Sequence, residues 1–332
     1  MGFKKAFLFL FVLSFFAGCK NEKENDPYQE FRKVPDYIGS PTAQRKTYFD
    51  AYDKTMEQWG VDYEDLYVTT SKGIAHVIVS GPKNAVPVVL LHGMSASSTM
   101  WYPNAKALAK DYRIFAIDLI IEPGKSYKTA DLNGLDEVRA WYEEVFWALK
   151  LDSFHLIGTS RGGWLAMDIA LHSKRNIRSL ILLSPVQTFM WIPPSVDLFK
   201  NILNVFYPEE KRSHRTMGTL SNNPKNIDPQ YMEQYKIGLE NDTLNKFMGQ
   251  MKPFSNEELR SLKMPVYVLI GDNDMFNTAH TLRLTEKHVK YGRGEIVKNS
   301  GHFLSVDRSA LVNRKMVGYL KSIDKQLSKH KK

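Results

Sequence analysis

The run Gly158-Thr159-Ser160-Arg161-Gly162-Gly163 constrains this chain more than any other segment. It follows the apolar stretch Phe154-His155-Leu156-Ile157 and precedes Trp164-Leu165-Ala166-Met167, which has helical character. A serine held between a strand and a helix in so few residues needs a sharp, strained backbone turn. Such a turn is tolerated where the residues two before and two after the serine lack side chains. Gly158 and Gly162 meet that need. The helix start behind the serine adds unpaired backbone N–H groups and the positive end of a dipole, both of which favour negative charge beside the hydroxyl. Ser160 is therefore the candidate nucleophile.

The remaining pattern supplies a sheet for that turn. Residues 66–70 and 74–79, separated by Ser71-Lys72-Gly73, predict a hairpin. The apolar run 86–91 predicts a strand buried on both faces. Further strands are expected over 113–117, 153–157, 177–183, 266–270 and 295–298. They alternate with helices expected over 100–110, 135–150, 162–172, 278–288 and 308–326. This alternation implies right-handed crossovers and a mostly parallel sheet flanked by helices, made mixed by the hairpin at one edge. Another helix is expected from about Ser40-Pro41, with Phe49, Tyr52, Met56 and Trp59 on the face that docks and Gly60 as its stop.

Residues 186–262 break the rhythm. They contain no strand pattern, but helical pieces at 194–206 and 229–239 and large apolar groups such as Phe189, Trp191, Tyr231, Tyr235 and Phe254. The stretch is too long for a loop and reads as a helical cap inserted after the sixth strand. It divides a core domain into 43–185 and 263–332.

Three more strand ends carry chemistry. Val88-Val89-Leu90-Leu91 runs into His92-Gly93-Met94, Leu269-Ile270 runs into Gly271-Asp272-Asn273-Asp274, and Asn299-Ser300-Gly301-His302 precedes the final helix. Together with the serine turn, these motifs resemble the α/β-hydrolase superfamily over roughly residue 63 to the end. The resemblance implies an α/β-hydrolase fold, a His-Gly loop that shapes an oxyanion hole, and the chain order serine, acid, histidine. It places the catalytic acid at Asp274, with Asp272 as the alternative, and the general base at His302. It assigns the oxyanion to the backbone N–H groups of Met94 and Arg161. His92 then has a structural role. A neutral imidazole near pH 7 can take the serine proton and return it to the leaving group.

Departures narrow the family. The segment from Asp118 through Glu122-Pro123-Gly124-Lys125-Ser126 replaces the commoner Asp-x-Arg-Gly-x-Gly-x-Ser loop, and the chain looks closest to bacterial carboxylesterase-like members. Serine at the turn excludes nucleophilic-aspartate enzymes, and the Gly-Gly-Ser-Trp-Gly pattern of proline iminopeptidases is absent. Arg161 is unusual at its position. Its side chain either binds an acidic group on the substrate or forms a salt bridge to a cap or loop carboxylate. The implied reaction is acyl transfer to water from a small-molecule ester through an acyl-enzyme. Thioesters, lactones, amides and carbon–carbon bonds share the fold, and a non-catalytic binding lipoprotein is the reading from another class.

The N-terminus points to export. Lys4 and Lys5 precede an apolar run from Ala6 to Phe16, followed by Ala17, Gly18 and Cys19. This has the form of a signal peptide over 1–18, and its end resembles a bacterial lipobox, with Phe16 where Leu, Val or Ile is usual. Cys19 is the only cysteine, so no intramolecular disulfide is open to it, and lipidation there would anchor the protein in the cell envelope. Residues 19–42 are polar and charged and read as a tether. The net charge of +9 gathers partly at Lys325, Lys329, Lys331 and Lys332, without interleaved aromatics, so no nucleic-acid partner is implied. No cofactor or metal is expected either: His280 and His288 share a helix face without ligand spacing, and Gly292-Arg293-Gly294 reads as a turn.

Overall fold

In the computed structural model, residues 26–194, 209–241 and 247–329 are described. Nine strands form one sheet: β1 (Tyr63–Thr70), β2 (Gly73–Ser80), β3 (Pro87–Leu91), β4 (Arg113–Ile117), β5 (Tyr127–Lys128), β6 (Ser153–Thr159), β7 (Asn176–Leu183), β8 (Val266–Gly271) and β9 (Gly292–Val297). The spatial order is β1-β2-β4-β3-β6-β7-β8-β9, with β5 extending the sheet beside β2. The β1–β2 hairpin and the β2–β4 and β2–β5 pairs are antiparallel, and every pair from β4 through β3 to β9 is parallel. The two-residue β5 was too short to leave an alternation pattern. Gly292-Arg293-Gly294 opens β9 and is not a turn.

Among the described residues, the helices longer than one turn are α1 (Ala43–Met56), α2 (Tyr102–Ala109), α3 (Leu135–Ala148), α4 (Arg161–His172), α5 (Glu209–Leu220), α6 (Pro229–Asn241), α7 (Asn256–Ser261), α8 (Ala279–His288) and α9 (Ser309–Lys329). The wholly apolar strand β3 shows why both sheet faces are covered. Successive side chains of a strand point to opposite faces. Val88 and Leu90 join the core beneath α1, α2 and α9, while Val89 and Leu91 join the core beneath α3 and α4. In α9, Val312, Met316 and Leu320 recur at helical spacing and are fully buried. Each such burial stabilises the fold by about 1.5–3 kcal/mol relative to exposure.

Helix α1 starts two residues later than expected from Ser40-Pro41. Its N-cap is Thr42, whose hydroxyl accepts from the Arg45 N–H. Its expected face is buried, and Trp59 donates its indole N–H to the Ser80 hydroxyl at 2.8 Å. The tether expected over 19–42 needs correction from residue 26 onward, and residues 19–25 lie outside the described residues. Tyr28 donates to the Leu149 carbonyl and packs edge-on against Phe115, Arg32 bridges Asp26 and Glu64, and Tyr37 stacks on Tyr127 at 4.7 Å. A few aromatic and charged anchors are enough to dock a segment whose average composition is polar.

The cap interval lies between β7 and β8, which are the sixth and seventh strands when the two-residue β5 is left out of the count. Helix α6 covers the expected 229–239, α5 joins it, and most of the expected helix at 194–206 lies outside the described residues. Gln234 fastens α6 to the core: its amide donates to Tyr48 and Ser97, and it accepts from the Thr99 hydroxyl at 2.9 Å.

One buried charge cluster sits behind the site. His76 contacts Asp118 at 2.8 Å through Nδ1 and Asp65 at 2.9 Å through Nε2, and the Tyr52 hydroxyl donates to Asp118 at 3.0 Å. Burial opposes the charged imidazole, but the two carboxylates outweigh it and raise the His76 pKa. Asp118 and Asp65 are also desolvated by burial, yet the His76 charge and hydrogen bonds hold both below the ordinary carboxylate range. The histidine's contribution to stability is complete below about pH 6.5, its unfolded value, and is lost as pH rises through its higher folded value. The carboxylates' contribution is complete above about pH 4 and is lost as pH falls through their depressed values. The melting temperature of the wild type is therefore expected to fall relative to that of a His76→Gln variant as pH is raised from 6 to 9. An unchanged difference between the two proteins across that range would contradict a charged His76.

Candidate active site

Three strand ends deliver the side chains. Ser160 lies between β6 and α4 with φ 53° and ψ −120°, a conformation that costs free energy for a residue with a Cβ. The two glycines permit it by close approach. A Cβ on Gly158 would lie 2.2 Å from the Gly162 carbonyl oxygen, and one on Gly162 would lie 2.3 Å from the His92 oxygen and 2.4 Å from the Leu91 oxygen. The turn is thereby wedged against the end of β3. The loop after β8 carries Asp274, and the loop after β9 carries His302.

The three side chains meet. His302 Nε2 is 2.9 Å from Ser160 Oγ, and His302 Nδ1 is 3.0 Å from Asp274 Oδ1. The Asp274 carboxylate also accepts from the Phe276 N–H at 3.0 Å and the Asn277 side-chain amide at 2.9 Å. Burial alone would raise its pKa, but the His302 charge and hydrogen bond, with the Phe276 N–H, outweigh burial and lower it. The Phe276 ring packs edge-on against the imidazole, with centroids 4.6 Å apart. A hydroxyl in this position can pass its proton to the ring as it attacks an electrophile, and the carboxylate fixes the ring tautomer and orientation.

Opposite the serine lies the loop after β3. The Gly93 N–H is taken by the Met100 sulfur and the Ser95 N–H by Glu122, and the Met94 N–H between them is uncommitted. Arg161 is the first residue of α4, so its N–H has no intrahelical acceptor. A cavity of about 230 Å³ opens over Ser160 and His302, between this loop and the cap residues Thr216, Leu220, Tyr235 and Leu239.

A family model described as the alpha/beta hydrolase fold matches residues 86–309. The uncharacterized carboxylesterase nap of Bacillus subtilis (strain 168) is 31% identical over 279 residues, covering 82% of this chain and 91% of that protein. This chain belongs to the α/β-hydrolase family. Carboxylesterase YbfK of the same strain is 29% identical over 82% of this chain and 93% of its own length. The crystal structure of naproxen esterase (carboxylesterase NP) from Bacillus subtilis superposes with a TM-score of 0.77 at 30% identity, covering 84% of this chain and 99% of that one.

Within this α/β hydrolase, the residues that the sequence left as alternatives sit in different surroundings. Asp274 faces the imidazole. Asp272 points elsewhere and accepts from the N–H groups of Asn299 and Ser300 at 2.9 and 3.1 Å, bracing the histidine loop. His92 accepts from the Leu119 N–H through Nε2, so its Nδ1 carries the proton and donates to the Gly93 carbonyl. Burial pushes its pKa down, which keeps the ring neutral in this structural role. For the Arg161 side chain, the structure takes the second of the two readings. It is buried and paired with the Glu122 carboxylate of the β4 loop, so it is not displayed as a cation to an acidic substrate. His288 is buried, 3.4 Å from the Arg260 guanidinium, whereas His280 is exposed, so the two do not share one environment. Among the described residues, no cluster of three or more His, Cys, Asp or Glu could hold a metal ion.

Two residues at the site carried no local signal. Glu122 gains its meaning only from its contacts with Arg161 and Ser95. Asp307 is buried beneath the histidine loop and accepts from the Gly301 N–H at 2.8 Å and the Asn222 N–H at 2.9 Å. The only hint in the sequence was a carboxylate placed just before the final helix.

Proposed function

We propose that this chain is a serine carboxylesterase that acts through an acyl-enzyme on Ser160. Its main support is the continuous path from Ser160 Oγ through the His302 ring to Asp274, at 2.9 and 3.0 Å. The carboxylesterases among its relatives support the choice of ester over other acyl compounds. In the first step Ser160 Oγ attacks the ester carbonyl while its proton passes to His302 Nε2. The N–H groups of Met94 and Arg161 stabilise the oxyanion of the tetrahedral intermediate. Collapse expels the alcohol, which takes its proton from His302. A water then loses a proton to His302, attacks the acyl-enzyme and releases the acid, restoring Ser160. A 230 Å³ cavity, below the roughly 300–1,000 Å³ typical of drug-sized ligands, suits esters of small to medium size.

The export reading belongs to the same proposal. Cys19, which lies outside the described residues, is the lipidated N-terminus of the mature protein and holds it to a membrane of the cell envelope. Among the described residues, no helix is long and apolar enough to cross a membrane.

One experiment addresses both parts. Protein recovered from membranes is treated with a fluorophosphonate and analysed by mass spectrometry, beside turnover of p-nitrophenyl esters of increasing chain length. The expected result is one phosphonyl adduct on Ser160, turnover that declines for long acyl chains, and a mature N-terminal peptide carrying acyl mass on Cys19. Folded protein with neither adduct nor turnover would favour the non-catalytic binding reading. An unmodified Cys19 would remove the anchor and leave the enzyme.

A further inference from the structure

Two departures of this chain from its family's pattern are partners. Arg161 occupies the turn beside the nucleophile, and Glu122 belongs to the segment that replaces the usual Arg-Gly loop after β4. Both side chains are buried, 2% and 1% exposed, and Glu122 Oε1 accepts from Arg161 Nη1. The other carboxylate oxygen, Oε2, accepts from the Ser95 backbone N–H at 2.7 Å. One side chain therefore grips the residue that follows Met94 and the residue that heads α4. Those are the two sides of the oxyanion hole.

The arrangement is a poor one for stability alone. Burying both charges costs desolvation, which an apolar pair of similar volume would avoid. The pair is also incompletely satisfied, since Nε and Nη2 of Arg161 are buried without hydrogen-bond partners. What the pair does supply is registration between two segments that sequence alone does not tie. Ser95 sits at φ 53°, outside the usual range for a residue with a side chain, so its backbone must be held by something external. Glu122 holds it through the Ser95 N–H. Oxyanion donors act by being fixed before charge develops, and small displacements weaken them sharply.

We propose that Glu122 is a positioning residue for the oxyanion hole, locking the 93–95 loop to the Arg161 turn so that the N–H groups of Met94 and Arg161 converge. This rests on the reading of Ser160 as nucleophile. The hole is used in the transition state and far less in the ground state, so its loss falls on kcat and leaves KM nearly unchanged.

The test compares wild type, Glu122→Gln and the double variant Glu122→Met/Arg161→Met on a short p-nitrophenyl ester. Inhibition by a trifluoromethyl ketone, whose adduct with Ser160 places an oxyanion in the hole, is measured alongside. Glu122→Gln is expected to lower kcat at least tenfold with KM within twofold, and to weaken the ketone by a similar factor. The double variant removes the pair without stranding a buried charge, so it keeps the test open if Glu122→Gln does not fold. It is expected to melt near the wild-type temperature and still show both losses. Wild-type kcat and ketone affinity in either folded variant would overturn the proposal and leave the pair a purely structural one. Inactive, unlabelled wild type would instead overturn the nucleophile reading beneath it.

Discussion

Replacing Asp274 with asparagine is expected to lower kcat by about 10,000-fold. The reason lies in the donors around the carboxylate. Asp274 accepts from the Phe276 N–H and the Asn277 amide and faces His302 Nδ1 at 3.0 Å. A carboxylate can serve all three, whereas an amide has one acceptor oxygen and an NH₂ group that only donates. With that oxygen held by the Asn277 amide at the Oδ2 position, the NH₂ group takes the Oδ1 position, faces the imidazole and makes Nδ1 the acceptor. The ring proton then sits on Nε2, facing Ser160, and the ring cannot take the serine proton. Asp272→Asn is the paired control, because that carboxylate serves the Asn299 and Ser300 N–H groups and not the ring. Its effect on kcat is expected to stay below about tenfold, in keeping with a brace outside the proton path. Steady-state kinetics on an ester, with melting curves for all three proteins, decide the matter. The reverse ranking would move the acid to Asp272.

The largest expected loss of stability near the site is at Asp307. Its carboxylate accepts from Gly301 and Asn222 at 2.8 and 2.9 Å and from Asn223 at 3.2 Å, and the Ser221 hydroxyl also donates to it. The Phe303 N–H adds a bond to the Leu220 carbonyl at the end of α5. A single buried side chain thus joins the cap to the loop that carries His302. Asp307→Ala would strand several donors at once, each worth about 1–3 kcal/mol when left unpaired in the interior. The expected destabilisation is on the order of 3–5 kcal/mol in denaturant titration, accompanied by a fall in kcat as the histidine loop loosens. A variant within about 1 kcal/mol of wild type and with unchanged kcat would show that water or a shifted loop satisfies these donors.

What could be read in advance was whatever the backbone itself dictates. The strand expected over 113–117 is found there, and the elements bearing Ser160, Asp274 and His302 were legible because each motif marks the end of a strand. Gly158 and Gly162 were legible for a steric reason, since a Cβ on either would lie within 2.4 Å of a backbone carbonyl oxygen. Glu122 and Asp307 were not legible as site residues. A carboxylate in a loop looks the same whether it faces water or a buried arginine 39 positions away, and only the packed fold decides. The docking of residues 26–42 escaped for a similar reason, because its anchors Tyr28, Arg32 and Tyr37 are spaced without any period.

Combined with the proposed anchor, that docking would set a limit on where the enzyme can work. On the proposed anchor at Cys19, seven residues separate the lipid from Asp26, which pairs with Lys83 of the body at 3.6 Å. Seven residues reach at most about 25 Å, at roughly 3.3–3.6 Å each. A leash of that length is shorter than the domain it restrains. The body would graze the headgroups instead of ranging through the surrounding fluid, and esters dissolved in or emerging from the lipid would reach Ser160 at a much higher local concentration than those free in solution.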